Sequence, residues 1–163
     1  MINIRVMSDF RFFISLVLGS LLVAGHGYLG SPALAGEVLP GPIPARVERV
    51  IDGDTIEVKA RIWIGQEGRV LVRLDGIDTP ELRGKCEDEK VRARAARDHL
   101  SSIPGTEVAL TGVYEGKFAG RVVARVGHAE MGDLATSLLA ADLARPYEGG
   151  KRQPWCDAQT ALR

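Results

Sequence analysis

Two short stretches place carboxylate side chains next to glycines. The first, VIDGDTIEV, contains Asp54, and the second, RLDGIDTPE, contains Asp78 and Thr79. Hard cations such as calcium take several oxygen ligands and favour carboxylates with backbone carbonyls beside them. Thr79 precedes a proline, which biases its backbone towards an extended conformation and so fixes the direction of its carbonyl. If the two stretches lie on neighbouring strands, these three residues can hold a calcium ion.

Three further charged residues complete a set suited to phosphate-ester chemistry. Glu81 follows Asp78 by three residues, close enough to act as a general base or to orient a water beside the metal. Arg73 projects from a predicted strand towards the same place, and Arg121 opens another strand after a glycine-containing turn. Two guanidinium groups and a divalent cation are the usual arrangement for stabilising charge on a pentavalent phosphorus. Together with the carboxylates, these residues are suited to a site that holds a cation and a phosphate.

Each of these residues also has a simpler interpretation. Asp52 followed by Gly53 is a hairpin-turn signal in its own right. An arginine on a strand is usually a solvated surface residue, and Glu81 could cap the helix that follows. A structural, envelope-associated domain in which both stretches merely close turns is therefore an alternative.

The strands that must position these residues follow from alternating hydrophobicity. Ile56, Val58 and Ala60 share one face of a strand, and the segment after them continues to a turn at Gly65 or Gly68, which predicts a long hairpin. The predicted strands cover residues 45–51, 54–60, 69–74, 106–113 and 121–126. Five short strands with closely spaced turns are typical of a small barrel or sandwich.

Two helices interrupt the strands. The first covers residues 86–102 and the second covers 132–144, with Asp133 as its N-cap and an end before Pro146. The predicted apolar stripes are Val91, Ala95, Ala96 and Leu100 on the first helix, and Leu134, Leu138 and Ala141 on the second. Three strands, a helix, two strands and a helix predict an α+β domain, a five-stranded OB-fold barrel with two to three packed helices.

The N-terminal segment, residues 1–35, is expected to be a signal peptide. Arg5 and Arg11 precede an apolar run of about fourteen residues, shorter than the roughly twenty that a bilayer span needs. Ala33 and Ala35 fit a small-residue cleavage pattern. We expect a periplasmic or secreted protein with no stable membrane association after cleavage, and an uncleaved anchor is the alternative. Residues 36–45 are expected to form an extended lead-in, and residues 46–163 the domain.

The charge balance limits the kind of nucleic-acid binding to be expected, and the cysteine content indicates how the two thiols are used. The chain has 21 basic and 21 acidic residues, and without the predicted signal peptide 19 basic residues stand against 20 acidic ones. This balance argues against a broadly basic nucleic-acid binder, because nonspecific affinity comes mainly from neutralised phosphates. The two cysteines, Cys86 and Cys156, favour one disulfide in an exported chain. A metal pair or two free thiols are the alternatives.

Taken together, VIDGDTIEV, RLDGIDTPE and GKFAGRVVA resemble three motifs of the staphylococcal nuclease family, in the same order, over roughly residues 46 to 148. The resemblance implies an OB barrel that hydrolyses phosphodiester bonds of DNA and RNA with calcium and without a covalent intermediate. It also implies roles for seven residues: Asp54 and Asp78 as calcium ligands, Thr79 as a carbonyl ligand, Glu81 as general base or water-positioning group, Arg73 and Arg121 as phosphate-binding groups, and Asp52 as a supporting carboxylate.

The chain departs from the best-known pattern of that family in a few places. One extra residue precedes Arg121, and Phe118 stands where a tyrosine is usual. Lys117, Phe118 and Tyr147 are expected to contact the substrate, with Phe118 stacking on a base or ribose. We expect a monomer. A nucleic-acid-binding OB module that has lost catalysis is the main alternative, since OB grooves bind strands through aromatic and basic residues without chemistry.

Overall fold

The computed structural model describes residues 36–156. The predicted signal peptide, residues 1–35, and positions 157–163 lie outside the described residues. The described strands are β1 (Val38–Leu39), β2 (Ile43–Val50), β3 (Thr55–Trp63), β4 (Gln66–Leu74), β5 (Ile77–Asp78), β6 (Glu107–Glu115), β7 (Arg121–His128), β8 (Gly132–Asp133) and β9 (Arg145–Pro146). The described helices are α1 (Glu87–Ser101) and α2 (Leu134–Ala140).

Five of these strands close into a barrel. β2, β3 and β4 pair antiparallel in sequence order, β4 pairs parallel with β7, and β6 pairs antiparallel with both β7 and β2. Alternate side chains point inward, and the core includes Ile56, Val58, Val72 and Leu74. The predicted α+β, OB-type barrel is therefore confirmed, with two helices in the described part of the chain.

The β3–β4 hairpin is long and its tip is apolar. Trp63 pairs with Gln66, so the chain turns at Ile64 and Gly65, the first of the two predicted turn positions. Ile62, Trp63 and Ile64 are all exposed, Ile64 by 88%. We call these three residues the hairpin tip.

Helix α1 packs on the barrel with a face that differs from the predicted one. Its buried residues are Glu89, Ala93, Ala96 and Leu100. Ala96 and Leu100 were expected there, whereas the expectation was wrong for Val91, which is 52% exposed, and for Ala95, which is exposed. The face is rotated because Glu89, a charged residue that a hydrophobic pattern leaves out, turns inward to accept backbone hydrogen bonds from the loop before the helix.

Helix α2 begins where it was predicted to begin. The Asp133 carboxylate accepts a hydrogen bond of 2.8 Å from the backbone N–H of Thr136, as an N-cap does. Leu134 and Leu138 are buried in the core. Ala141 is exposed, because the helix ends at Ala140 and Ala141 is already its C-cap.

The region expected as a lead-in contributes to the sheet. Val38 and Leu39 pair with Tyr114 and Val113 of β6, and residues 43–45 already belong to β2. Among residues 36–156, neither helix has the length and apolar character needed to span a bilayer.

A disulfide joins Cys86 to Cys156, as the cysteine count suggested. The Cα atoms are 6.0 Å apart and the two residues are separated by 70 positions in sequence. The bond fixes the segment that ends at Cys156 to the start of α1. Glu89 lies close to both sulfur atoms, but sulfur atoms bonded to each other are not thiolate ligands, so the alternatives of a metal pair and free thiols are excluded.

Candidate active site

The pairing of β3 with β4 brings the first carboxylate to an arginine. Asp54 immediately precedes β3, and Thr55 pairs with Arg73 across the ladder. The Asp54 carbonyl accepts a 2.8 Å hydrogen bond from the backbone N–H of Leu74. Arg73 Nη1 donates to Asp54 Oδ2, and Arg73 Nη2 donates to the Ile77 carbonyl at 2.9 Å. The guanidinium is thus held at two points.

The second carboxylate lies at the end of a short strand. Asp78 closes β5, which pairs antiparallel with β9 so that Asp78 faces Arg145. Asp78 and Thr79 are buried, and Asp54 is as well, with exposed fractions of 2% for Asp78 and 4% for Asp54. Burying two carboxylates is costly unless cations or hydrogen-bond donors compensate their charge. The site must therefore contain compensating groups.

Gly53 allows the two loops to pack closely against α1. A Cβ atom at Gly53 would lie 2.8 Å from the Ala96 Cβ and 2.9 Å from Thr79 Oγ1. Both distances are shorter than real Cβ contacts, so a glycine is required where the loop carrying Asp54 meets the one carrying Thr79. This close packing keeps the two loops adjacent.

In addition to Arg73, compensating charge comes from Arg152, in the segment before the disulfide. Its Nε lies 2.8 Å from Asp78 Oδ1, its Nη2 lies 3.9 Å from Asp54 Oδ2, and its Nη1 contacts Glu81 Oε1. Partial burial alone would lower the pKa of Arg152, but the hydrogen bond to Glu81 and the charges of Asp78, Glu81 and Asp54 together raise that pKa above its ordinary value. One guanidinium therefore bridges three carboxylates. We call Asp54, Asp78 and Glu81 the carboxylate cluster.

Several contacts fix the segment that carries Arg152. Arg145 donates to the Gln153 carbonyl at 2.8 Å and to the Pro154 carbonyl at 3.3 Å, and its guanidinium carbon lies 3.7 Å from the centroid of the Trp155 ring. The Trp155 indole N–H donates to Asp78 Oδ2 at 3.1 Å. The segment is thereby attached both to β9 and to the carboxylate cluster.

Arg121 reaches the same region from β7. In the parallel pairing of β4 with β7, Arg73 is opposite Val123 and Leu71 is opposite Arg121. Paired residues of adjacent strands project to the same face, and so do residues two apart on one strand. Arg121 and Arg73 therefore share one face of the barrel wall. Among the described residues, the buried Nε of Arg121 has no hydrogen-bond partner.

An open cavity of about 540 Å³ joins these groups. Its lining consists of Asp52, Asp54, Arg73, Glu81, Lys117, Phe118, Arg121, Tyr147, Gly150 and Arg152. The Phe118 ring centroid lies 5.5 Å from the guanidinium carbon of Arg121, and the Tyr147 hydroxyl donates to the Gly150 carbonyl at 2.8 Å. Eight of the residues singled out from the sequence thus surround one space. Asp78 and Thr79 are outside its lining.

Asp52 supports the loop before β3. Its Oδ1 accepts a hydrogen bond of 3.1 Å from the backbone N–H of Asp54. Burial raises the pKa of Asp52, and the charge of Asp54 raises it further. Asp52 thus shapes the loop that carries Asp54.

The residues present fit a hard cation such as calcium. Asp54 and Asp78 supply carboxylate oxygens, the donors that calcium prefers. Within residues 36–156, the buried Asp78 Oδ1 has no hydrogen bond and is matched only by the charge of Arg152. A positive charge already occupies the position between the carboxylates, so a cation can replace it if Arg152 moves.

Sequence reasoning missed four residues of this region: Glu89, Arg145, Arg152 and Trp155. Glu89 Oε2 accepts from the Lys85 N–H at 2.9 Å, and its Oε1 accepts from the Glu81 N–H at 3.4 Å, so it holds the loop that carries Glu81. A signal for Arg152 was present. It lies four positions before Cys156, whose expected partner Cys86 lies five positions after Glu81.

No protein-family model matches the chain, and a search of curated proteins found no significant match. The function is therefore inferred from the fold and from the geometry of this site.

Proposed function

We propose that the protein is a calcium-dependent nuclease, similar to the staphylococcal nuclease family, that hydrolyses phosphodiester bonds of DNA, of RNA or of both. The observation that carries the proposal is that Arg73, Arg121, Asp54 and Glu81 line one open cavity on the barrel wall. Paired guanidinium groups next to carboxylates match the charges that develop when water attacks a phosphodiester. The resemblance of the three motifs points to the same reaction.

The two arginines bind the phosphate in different ways. Arg73 is oriented by Asp54 and the Ile77 carbonyl, so its guanidinium is held in place before the substrate arrives. Arg121 lines the cavity and forms no ion pair with a described residue, so the donors at the end of its guanidinium remain for a phosphate oxygen. Charge-assisted hydrogen bonds from such groups strengthen as negative charge accumulates on phosphorus.

The carboxylates have two roles. Asp54, Asp78 and the Thr79 carbonyl would hold calcium, which supplies Lewis-acid stabilisation of the phosphate when bound. Glu81 takes the proton from the attacking water, and its position next to the cavity suits that role. The hydrolysis forms one phosphorus–oxygen bond to the water oxygen and breaks the phosphorus–oxygen bond to the leaving alkoxide, which takes a proton from solvent water.

The rim of the cavity suits a nucleotide. Lys117 adds a cation for a neighbouring phosphate, and Phe118 is 64% exposed beside Arg121, so it can stack on a base or ribose. Tyr147 lies outside the GKFAGRVVA motif in sequence, but its side chain lines the same cavity. We assign these three residues to substrate binding.

The decisive experiment is a timed digest of DNA and RNA with calcium titrated in and then chelated. We expect chelation to abolish hydrolysis and Glu81→Gln to lower the rate by about 10²–10⁴-fold, the usual contribution of a general base. The fold should persist in Glu81→Gln, since the side chain is largely exposed.

The Glu81→Gln protein, purified in parallel, also controls for contaminating nucleases. Full activity of this variant would refute the assigned role of Glu81. Hydrolysis that survives complete chelation would refute the calcium requirement.

A catalytically silent nucleic-acid-binding module is the second candidate. The observation that favours it is the ion pairing of Arg152 with Asp54, Asp78 and Glu81, which fills the position that calcium needs. Such a module would bind oligonucleotides equally well with and without calcium and would hydrolyse none of them. The same digest, followed by a binding titration in chelator, separates the two functions.

We also propose that the protein is exported and acts as a monomer in the periplasm or the medium. The disulfide supports this location, because such bonds persist in oxidising compartments. N-terminal sequencing of the mature protein should give Gly36 as the first residue. A mature protein that still begins at Met1 would favour the uncleaved anchor.

A further inference from the structure

Arg152 is partly exposed, yet it contacts the whole carboxylate cluster. Its guanidinium forms ion pairs with all three members of the carboxylate cluster, and its side chain is 39% exposed. The side chain also lines the open cavity, so a route out of the cluster exists. It can therefore leave without unfolding the core.

Charge balance explains why the guanidinium lies there. Arg73 compensates Asp54, but its donors are directed to Asp54 and to the Ile77 carbonyl. Asp78 Oδ1 has Arg152 as its close cation, whereas Arg145 Nε is 3.6 Å from the other oxygen. Removing Arg152 would leave Asp78 buried with reduced compensation, a state that strongly attracts another cation.

The backbone on either side of Arg152 is defined by a disulfide after it and by two glycines before it. Four residues later, Cys156 is bonded to Cys86 at the start of α1. Three and two residues earlier, Gly149 and Gly150 adopt positive φ angles of 94° and 89°, a region that other residues rarely enter. The disulfide keeps the guanidinium next to the cluster, while its long side chain can rotate into the cavity.

We propose that Arg152 sets the cation affinity of the site: it occupies the carboxylate cluster until a divalent cation displaces it. The inference rests on the calcium-dependent function proposed above and deepens it. Displacement exchanges one guanidinium for one divalent cation, and no covalent bond changes.

Displacement of Arg152 by a cation also controls Glu81, the proposed general base. Arg152 Nη1 donates a hydrogen bond to Glu81 Oε1 while the guanidinium occupies the cluster. When a cation displaces Arg152, Glu81 loses that partner and its oxygen becomes available for the proton of water. Cation binding and release of the base are thereby coupled, and a site without a cation stays inactive.

The test measures calcium binding rather than catalysis. Isothermal titration of the full mature protein with calcium, at fixed ionic strength and without substrate, compares the wild type with Arg152→Gln and Arg152→Lys. We expect Arg152→Gln to bind calcium about tenfold more tightly, which corresponds to about 1.4 kcal/mol. Arg152→Lys retains the charge and should bind within about twofold of the wild type by the same relation.

Lys151→Gln is the matched control. It removes one positive charge at the adjacent, exposed position, so it reports the long-range electrostatic effect alone. We expect its dissociation constant to stay within about twofold of the wild-type value, because exposed charges are screened at physiological salt. A tightening equal to that of Arg152→Gln would overturn the proposal.

Two other outcomes distinguish this inference from the proposed function. If the wild type and Arg152→Gln bind calcium equally, or if the variant binds more weakly, the inference is wrong while the calcium-dependent function stands. If neither protein binds calcium, the proposed function fails and the inference fails with it.

A second measurement needs no variant and so does not depend on how Arg152→Gln folds. The Nε–H resonance of Arg152 in the wild type should move towards the position of a solvent-exposed arginine as calcium is added. An unchanged resonance at saturating calcium would show that the guanidinium remains in the cluster, which overturns the proposal.

Discussion

At the scale of single residues, the two arginines that face the cavity differ in how they are supported. Arg73 is hydrogen-bonded to a carboxylate and to a carbonyl, so its loss removes contacts within the protein as well as the proposed contact to a phosphate. The Arg121 guanidinium lies over the Phe118 ring and forms no ion pair with a described residue. Arg121 is therefore the cleaner probe of phosphate binding.

We expect Arg121→Ala to lower kcat/KM for DNA hydrolysis by about 10²-fold or more, the scale seen when one donor to a developing oxyanion is removed. The melting temperature should stay near that of the wild type, because the side chain makes no hydrogen bond to a described residue. Steady-state kinetics and thermal melting check the two parts.

Arg125→Ala is the control for Arg121→Ala. Arg125 lies on the same strand, β7, and is exposed outside the cavity lining. The same loss of rate in both variants would mean that the overall charge of β7, rather than the position of Arg121, matters.

At the scale of elements, the disulfide connects the region of the loop that carries Glu81 to the segment with Arg152. Cys86 precedes α1, whose Glu89 holds the loop carrying Glu81. One covalent bond thus ties together the helix start, the loop and the last described segment.

Replacing both cysteines by serine should lower the free energy of unfolding by about 4 kcal/mol, because the bond closes a loop of 70 residues in the unfolded chain. Urea denaturation of the double variant and of the wild type measures the difference. Equal midpoints would show that the bond contributes nothing to stability.

Elements were predictable where a local pattern defined them, and less so where tertiary contacts did. Alternation along β3 and β4 placed both strands, and the Asp133 cap placed the start of α2. The buried face of α1 was only partly predicted, because the inward turn of Glu89 depends on a loop folding over it. Likewise, Arg152 contacts Glu81 across 71 positions, a pairing that spacing alone does not specify.

At the scale of the whole molecule, charge balance limits how the proposed nuclease would bind a polymer. The chain has as many basic as acidic residues, so attraction to phosphates must come from the few cations that line the cavity. Lys117 and the arginines beside it are those cations. A short or single-stranded substrate suits such a local surface better than a long duplex.

We expect single-stranded DNA to be cleaved faster than long duplex DNA. We also expect the logarithm of its binding constant to fall with the logarithm of salt concentration with a slope of about −2, as about three neutralised phosphates would give. Equal or faster cleavage of long duplex would contradict this. A much steeper slope would reveal phosphate contacts beyond the cavity.

The hairpin tip is an attachment point that lies far from the cavity. From Thr55, beside Asp54, β3 extends over nine residues to Trp63, so the tip lies about 26 Å from the cavity at about 3.3 Å per residue. A dye or an immobilisation peptide inserted at Gly65 would therefore report on the protein, or attach it to a support, without obstructing incoming polymer. Serines in place of Ile62 and Ile64 would likewise improve solubility in concentrated solution while hydrolysis continued unchanged.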